Sequence, residues 1–516
     1  MSEEVKVKLE GDPHVNETTQ FIEKTGDKNP PADPSKLEGR LTSSLLFAVI
    51  AATVGSSFQF GYHIGCVNAP GRLITDWFKV SHKQLHNTTL SDEQADLAWS
   101  ISVGIFAVGG MVGGLLSGWL ADKIGRKGAL LVNNIFAFIA AALMSLAKFV
   151  GVYYLITIGR LVIGFSCGLS SGLVPMYLTE ISPQNLRGSL GSVHQLLVTI
   201  SILVAQIFGL PALLGNEQRW PYIFAFTVVP CIFQLATLPL CPESPRYNLI
   251  QKRKTEQAEK DLKKLRGQED VNAELDVIKE EASLAQSQPK VSFGDMFKGA
   301  LKWPLFIAIM MMFSQQLSGI NVAMFYSTKI FKDAGLPGNW PFYATILMGA
   351  VNVAQTVVSL WLVDHPKFGR RSLHLIGLTG MCIASVLIVI SLSIAGTPDR
   401  YGQVQNQGAS YASIVFVLLF VIAFATGPGS IPWFFVSEIF PSSARGNANS
   451  IAVMANWLAN FLVSTFFLPL NNALGQYTFL VFVAFLLFFI FFTWKFVPET
   501  KNKSYDQIEK ELRKAQ

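Results

Sequence analysis

Apolar residues run in blocks of roughly twenty along most of the chain, separated by short polar or charged segments. About twenty residues at roughly 1.5 Å each span the hydrocarbon core of a bilayer, so each block predicts a membrane-crossing helix. About twelve such blocks occur, near 44–66, 97–120, 128–148, 154–178, 189–211, 219–240, 302–326, 340–363, 372–394, 411–437, 447–470 and 477–497. The predicted fold is an all-α membrane protein. Outside the blocks lie a polar tail at 1–43, a polar loop from about Pro70 to Asp96, a charged interruption at 243–301 and a tail at 499–516. Within the interruption, Thr255 to Leu265 mixes charge with apolar spacing at helical period, which predicts short amphipathic helices on the membrane surface. The short loop Asp122-Lys123-Ile124-Gly125-Arg126-Lys127 is basic, and basic short loops stay in the cytoplasm. With an even number of crossings, both termini then lie in the cytoplasm.

The two sets of six blocks, 44–242 and 302–498, echo each other in order. Asp122…Gly125-Arg126-Lys127 returns as Asp364…Gly369-Arg370-Arg371. Glu180-Ile181-Ser182-Pro183…Arg187-Gly188 returns as Glu438-Ile439-Phe440-Pro441…Arg445-Gly446, and Pro242-Glu243-Ser244 as Pro498-Glu499-Thr500. Two parallel six-helix halves joined by the 243–301 linker describe the major facilitator architecture.

Composition narrows the function. The chain is 50% hydrophobic and 15% charged, against roughly 25% charged in soluble domains. Its net charge of +6 is spread over short loops, where it orients helices, and is not a nucleic-acid patch. The five cysteines lie in or beside apolar blocks, which argues against a disulfide framework. No nucleophile–base pair or metal-ligand cluster stands out, so neither an enzyme nor a metal or cofactor is expected. Asn87-Thr88-Thr89 is a glycosylation sequon in the first outer loop.

Polar side chains at membrane depth carry the candidate chemistry. Gln315-Gln316-Leu317-Ser318-Gly319-Ile320-Asn321 sits inside an apolar block. Buried carboxamides are costly without partners, so these groups either bond a neighbouring helix or face a cavity. An uncharged group with both donors and acceptors suits a neutral polyhydroxylated solute. On an unbroken helix Gln316 and Asn321 would point roughly 140° apart; unwinding at Gly319 would relieve that separation, as in the broken helices of secondary transporters. Helical spacing also groups Ser192 with Gln195 and Thr199, Asn352 with Gln355 and Thr356, and Asn456 with Asn460, each on one face.

These motifs resemble the sugar porters of the major facilitator superfamily, and most closely the animal facilitative glucose transporters, from about residue 44 to 505. The likeness is carried by Gly118 to Lys127, Gly159-Arg160-Leu161, Pro175 to Glu180, Pro242-Glu243-Ser244-Pro245-Arg246, Gln315 to Asn321, and Gly427 to Trp433. It implies a hexose site between the halves formed by Gln195, Gln315, Gln316, Asn321, Asn352, Trp433 and Asn456, with Trp457 nearby. It also implies salt bridges at the cytoplasmic ends that latch the halves when the outside is open. That set is Asp122, Arg126, Glu180, Arg187, Glu243, Arg246, Asp364, Arg370, Glu438 and Arg445, with Arg160 joining the network.

The chain departs from that pattern in four places. Met312-Phe313-Ser314 replaces a tripeptide linked to excluding fructose, so fructose stands beside glucose as a candidate substrate. Ala425 stands where a Glu is common, the segment Asp364 to Gly369 is longer, and His63 stands where Asn or Asp is usual. The expected function is facilitative hexose uniport across the plasma membrane. A proton-coupled symporter is the alternative, and a sugar receptor in a transporter fold is a weaker one. The implied partners are a hexose and the lipid bilayer.

Overall fold

In the computed structural model, which describes residues 39–287, 291–365, 367–396, 404–501, 503 and 505–514, the apolar blocks are helices and no strand occurs among these residues. Most of the predicted 1–43 tail lies outside them. Helix α1 (Ser43–Ala52) runs through a π turn into α2 (Phe58–Gly65), followed by α3 (Gly71–His86), α4 (Asp92–Ile124), α5 (Arg126–Val150), α6 (Tyr154–Ile181) and α7 (Arg187–Phe208). Helices α8 (Trp220–Ala225) and α9 (Val228–Thr237) make the next crossing. The linker contains α10 (Pro245–Ile250), α11 (Thr255–Arg266) and α12 (Asn272–Ser287). The second half comprises α13 (Lys302–Gln316), α14 (Ile320–Asp333), α15 (Trp340–Asp364), α16 (Arg370–Ala395), α17 (Gln407–Thr426), α18 (Ile431–Ile439), α19 (Ser442–Leu474) and α20 (Thr478–Phe496), before a terminal α21 (Tyr505–Lys514). Among the described residues, eleven stretches are long and apolar enough to cross a membrane. The last of them, Ala444–Phe496, holds both α19 and α20, so twelve crossings result.

One segment between crossings differs from its prediction. The region after Pro70, expected as a loop, is helical, because Ile74, Thr75, Phe78 and Ser81 give α3 a buried face against the bundle. It ends at exposed Asn87, in the left-handed conformation (φ 55°) that Asn tolerates. Ser91 and Gln94 then start α4 with a reciprocal capping box.

Small residues set how closely the crossings pack, since lipid tails provide no hydrophobic drive between helices. Gly109 and Gly113 of α4 interlock with Gly164 and Gly168 of α6, each pair spaced by four residues. A Cβ on Gly164 would lie 1.9 Å from the Phe106 carbonyl oxygen. The two halves meet along α4 on α19 and α7 on α15. At the first seam the Trp457 indole rests on Gly110, where a Cβ would come within 2.5 Å of the ring.

The linker is held under the first half. Ala258, Leu262, Val271 and Leu275 form a small core of their own. Arg266 donates to the Ile181 carbonyl at the end of α6 (2.8 Å) and to both carboxylate oxygens of Glu274 (2.8 and 2.6 Å). Beneath the second half, Ile508 and Leu512 of α21 join the core that contains Phe435 and Phe440.

Candidate functional site: a carboxamide circuit at two helix breaks

The break expected at Gly319 separates α13 from α14, with φ +91° at that residue. Leu317 N–H still closes a bond to Phe313 O (2.8 Å), and Ser318 Oγ donates to Gln315 O (2.6 Å), so little backbone is left without a partner. The break cancels the angular separation that an unbroken helix would impose, and Asn321 Nδ2 donates to Gln316 Oε1. Gln316 Nε2 donates to Asn456 Oδ1 (2.9 Å) and Gln315 Oε1 (3.2 Å), and Asn456 Nδ2 returns a bond to Gln315 Oε1 (2.7 Å). Gln315 Nε2 donates to the carbonyls of Pro428 and Gly429, both at 2.9 Å. Those carbonyls are freed by a second break, between α17 and α18. Three buried carboxamides of one interrupted crossing and Asn456 of the continuous α19 thus form one hydrogen-bond circuit, anchored on the backbone carbonyls of a second break. Asn321 Oδ1 accepts nothing from the described residues and is not fully walled in, so it is an open acceptor at the rim.

The other expected site residues lie outside this circuit. Trp433, on α18, is half-buried among apolar side chains. Gln195 is half-buried on α7 and makes no described hydrogen bond. Its face-mate Thr199 returns its hydroxyl to Leu196 O (2.9 Å). Asn352 is buried on α15, whereas Gln355 turns to Thr426 Oγ1 (3.0 Å), an interhelical bond within the second half. Trp457 is buried at the seam against Phe60 and Phe106 (ring centroids 5.3 and 5.5 Å), with its Nε1 lacking a partner. Met312 is fully buried, and its carbonyl and sulfur lie 3.5 and 3.6 Å from Asn456 Nδ2. It therefore touches the circuit through Asn456.

A cluster that sequence reasoning missed ties the end of α2 to the second half. Asn68, just beyond α2, donates to Met324 O (2.9 Å) and Ser327 Oγ (2.7 Å) of α14 and accepts from Thr328 N (3.1 Å). Tyr326 OH donates to Ser464 O of α19 (3.0 Å). Asn68 follows an apolar block as any loop residue might, so only the fold reveals its contacts across the halves.

The charged motifs fall into two equivalent constellations, one per half. Arg126 forms a two-pronged pair with Glu180 (2.9 Å each) and reaches Asp122 (3.2 Å). Arg370 faces Glu438 at 3.6 Å. These pairs stay within their own half. Ser244 Oγ donates to Glu180, and Thr500 Oγ1 to Glu438 (2.5 Å). Glu243 acts as a helix cap: it accepts from Lys127 N (3.1 and 3.2 Å) and Ser244 N (2.9 Å) at the start of α5. Burial pushes the Glu243 carboxyl up, while the amide donors and the nearby Arg126 and Lys127 hold it down. Glu499 does the same for α16, accepting from Arg370 N (2.7 Å) and Arg371 N (3.2 Å). The Pro-Glu echo in the sequence was the signal for Glu499, since an acceptor at a helix N-terminus satisfies orphan N–H groups. Arg445 donates to Phe440 O (3.4 Å). The side chains of Arg187 and Asp364 lie outside the described residues.

Arg160 is corrected. It is fully buried near the start of α6, donating to His63 O (2.8 Å) and Val103 O (3.5 Å) and lying over the Phe106 ring (4.4 Å). Glu180 is near the other end of the same helix, about 30 Å away along its axis, so Arg160 cannot join the network around Glu180.

Residues 48–512 match the family described as sugar (and other) transporters. Facilitated glucose transporter protein 1 of Caenorhabditis elegans is 65% identical over 481 residues, covering 92% of each chain. The human solute carrier family 2, facilitated glucose transporter member 3, is 42% identical over 470 residues, covering 91% of this chain and 92% of that one. Among solved structures, the proton:xylose symporter XylE bound to 6-bromo-6-deoxy-D-glucose superposes with a TM-score of 0.75 at 27% identity, covering 91% of this chain and 99% of that one. The inward-open form of XylE from E. coli gives a TM-score of 0.72 at 27% identity, over 90% and 99%.

Proposed function

Because the chain belongs to the sugar (and other) transporter family, we propose that it is a facilitative hexose uniporter of the plasma membrane, moving D-glucose down its gradient by alternating access, with fructose sharing the site. The observation that carries this reading is the circuit of Gln315, Gln316, Asn321 and Asn456. Uncharged donors and acceptors can exchange their mutual bonds for sugar hydroxyls at little net cost, because every bond broken is replaced by one of the same kind. Gln195 and Asn352 complete the ligand set, and Trp433 offers its face to the C–H side of a pyranose. Trp457 supports the pocket from the seam. In this outer-closed form the charged pairs rest within their halves. When the cytoplasmic ends approach, Arg187 and Arg445 share the carboxylates of Glu180 and Glu438 across the halves. The test is counterflow of labelled glucose and fructose in liposomes, with and without an imposed pH gradient; absence of glucose counterflow would sink the hexose reading.

A symporter reading has its own observation, since XylE is titled a proton:xylose symporter. Against it stands His63, at the position where proton-coupled relatives use an Asp. His63 is fully buried, bonded through Nε2 to Thr227 Oγ1 (2.9 Å), with Nδ1 3.7 Å from Cys66 Sγ. Its carbonyl holds Arg160, so a proton on the ring would set a second cation beside a buried guanidinium. Uptake is therefore expected to cause no external alkalinisation in weakly buffered suspension, and His63→Asn is expected to keep at least about half of it, since the new side chain can still bond Thr227. Sugar-induced alkalinisation that disappears in His63→Asn would establish proton coupling.

Both termini face the cytoplasm in this reading, and Asn87 carries an N-glycan on the outer surface. Asn87→Gln is expected to remove the endoglycosidase-sensitive mobility shift while uptake per surface molecule stays the same. An unchanged mobility shift would place the glycan elsewhere.

A further inference from the structure

Beside the Asn68 contacts lies a cavity of about 270 Å³ whose lining includes no residue of the carboxamide circuit. Val67, Asn68 and Trp99 line it from the first half, and Phe325, Tyr326 and Leu468 from the second. Because each half supplies part of the wall, this cavity exists only while the outer ends are together.

Its lining carries three cations, Arg72, Lys329 and Lys332, and two carboxylates, Asp96 and Asp333. Arg72 is paired with Asp76 (3.5 Å) and Asp96 (3.9 Å), and Lys329 with Asp333 (3.1 Å). Lys332 has no carboxylate partner among the described residues; its Nζ lies over the Phe342 ring at 4.7 Å. Trp99 Nε1 has no described acceptor, and it is not among the fully walled-in atoms that lack one. An ammonium with no salt-bridge partner among the described residues, a spare N–H donor and an aromatic wall thus border one space of small-molecule size. A carboxylate or sulfonate answers the first two by charge-assisted hydrogen bonding, and a flat apolar body answers the third.

We propose that this outer cavity binds a small organic monoanion through Lys332 and Trp99 against the Phe325–Tyr326 wall, and that occupancy holds the outer gate shut. A ligand that binds only one of two states shifts the population toward it, so such an anion restrains transport from outside without entering the sugar site. The transport part of this inference rests on the hexose reading; the binding part does not.

The probe is benzenesulfonate, permanently anionic, with neutral benzenesulfonamide as its match. The full chain is reconstituted in phosphatidylcholine liposomes, so that no anionic headgroup supplies the charge. Equilibrium dialysis is expected to show benzenesulfonate bound by the wild type, at least tenfold weaker binding in Lys332→Gln, several-fold weaker binding in Trp99→Phe, and none of the sulfonamide. External benzenesulfonate is expected to slow glucose uptake in the wild type and at least tenfold less potently in Lys332→Gln, whose basal uptake is unchanged. Absence of binding, equal binding by the sulfonamide, or undiminished inhibition in Lys332→Gln would overturn the site. If glucose is not transported at all, the hexose reading fails while the dialysis result still decides the cavity.

Discussion

Gln316→Leu is expected to lower glucose counterflow per molecule by about a hundredfold or more. Gln316 is the hub of the circuit: it accepts from Asn321 and donates to Gln315 and Asn456. Leucine can neither donate to nor accept from a sugar hydroxyl. It also strands Asn456 Oδ1 and Asn321 Nδ2 in a dry site. An unmet buried polar group costs about 1–3 kcal/mol, and each 1.4 kcal/mol is tenfold in an equilibrium; two such groups account for the expected loss. The stranded amides also predict a lower melting temperature in detergent, recovered in part by Gln316→Glu, which retains the acceptor for Asn321. Gln195→Leu makes the contrast. Gln195 has no described partner to strand, so its loss should weaken sugar affinity with melting unchanged. Counterflow by Gln316→Leu within threefold of wild type would remove the circuit from the transport path.

Asn68→Ala is expected to shift the resting population toward the outward-open state by roughly one and a half to three orders of magnitude. Three hydrogen bonds tie this side chain to α14 across the halves. At about 0.5–1.5 kcal/mol net apiece, their loss is worth roughly 2–4 kcal/mol in the balance between the two states. Ala323, buried beneath this contact on α14, is a suitable reporter position. A cysteine there should react with a membrane-impermeant thiol reagent from outside at least tenfold faster when Asn68 is replaced. Net uptake should slow, because the inward-facing state the cycle must visit is now rare. An unchanged reaction rate would mean that the Asn68 contact does not gate the outer side.

Much of this was legible in the chain because a bilayer enforces it. Every backbone polar group in the hydrocarbon must be satisfied within its own segment, so apolar length alone located the crossings. The repeated motifs marked equivalent places in the two sets of helices. The break at Gly319 was also readable, since only a glycine easily takes positive φ between two carboxamides that must meet. The Pro-Glu echoes marked equivalent positions.

What those positions do was decided by the tertiary structure. Glu243 and Glu499 have the composition of ion-pair partners, yet each caps a helix, because the fold brings the carboxylate under free N–H groups. Arg160 shares the motif-bearing block with Glu180 but lies at the opposite membrane face, among carbonyls and the Phe106 ring. Met312 belongs to the tripeptide that departs from the family pattern, and by contact it packs against Asn456. The sequence by itself determined which segments cross the membrane, how they repeat and where polar groups enter the hydrocarbon, because those follow from local hydropathy and backbone satisfaction. Which polar groups meet, as in the Gln315–Asn456 circuit and the Asn68 gate, was settled only when helices more than a hundred residues apart in the chain came into contact. Side-chain hydrogen bonding depends on angstrom-scale placement that no local pattern encodes.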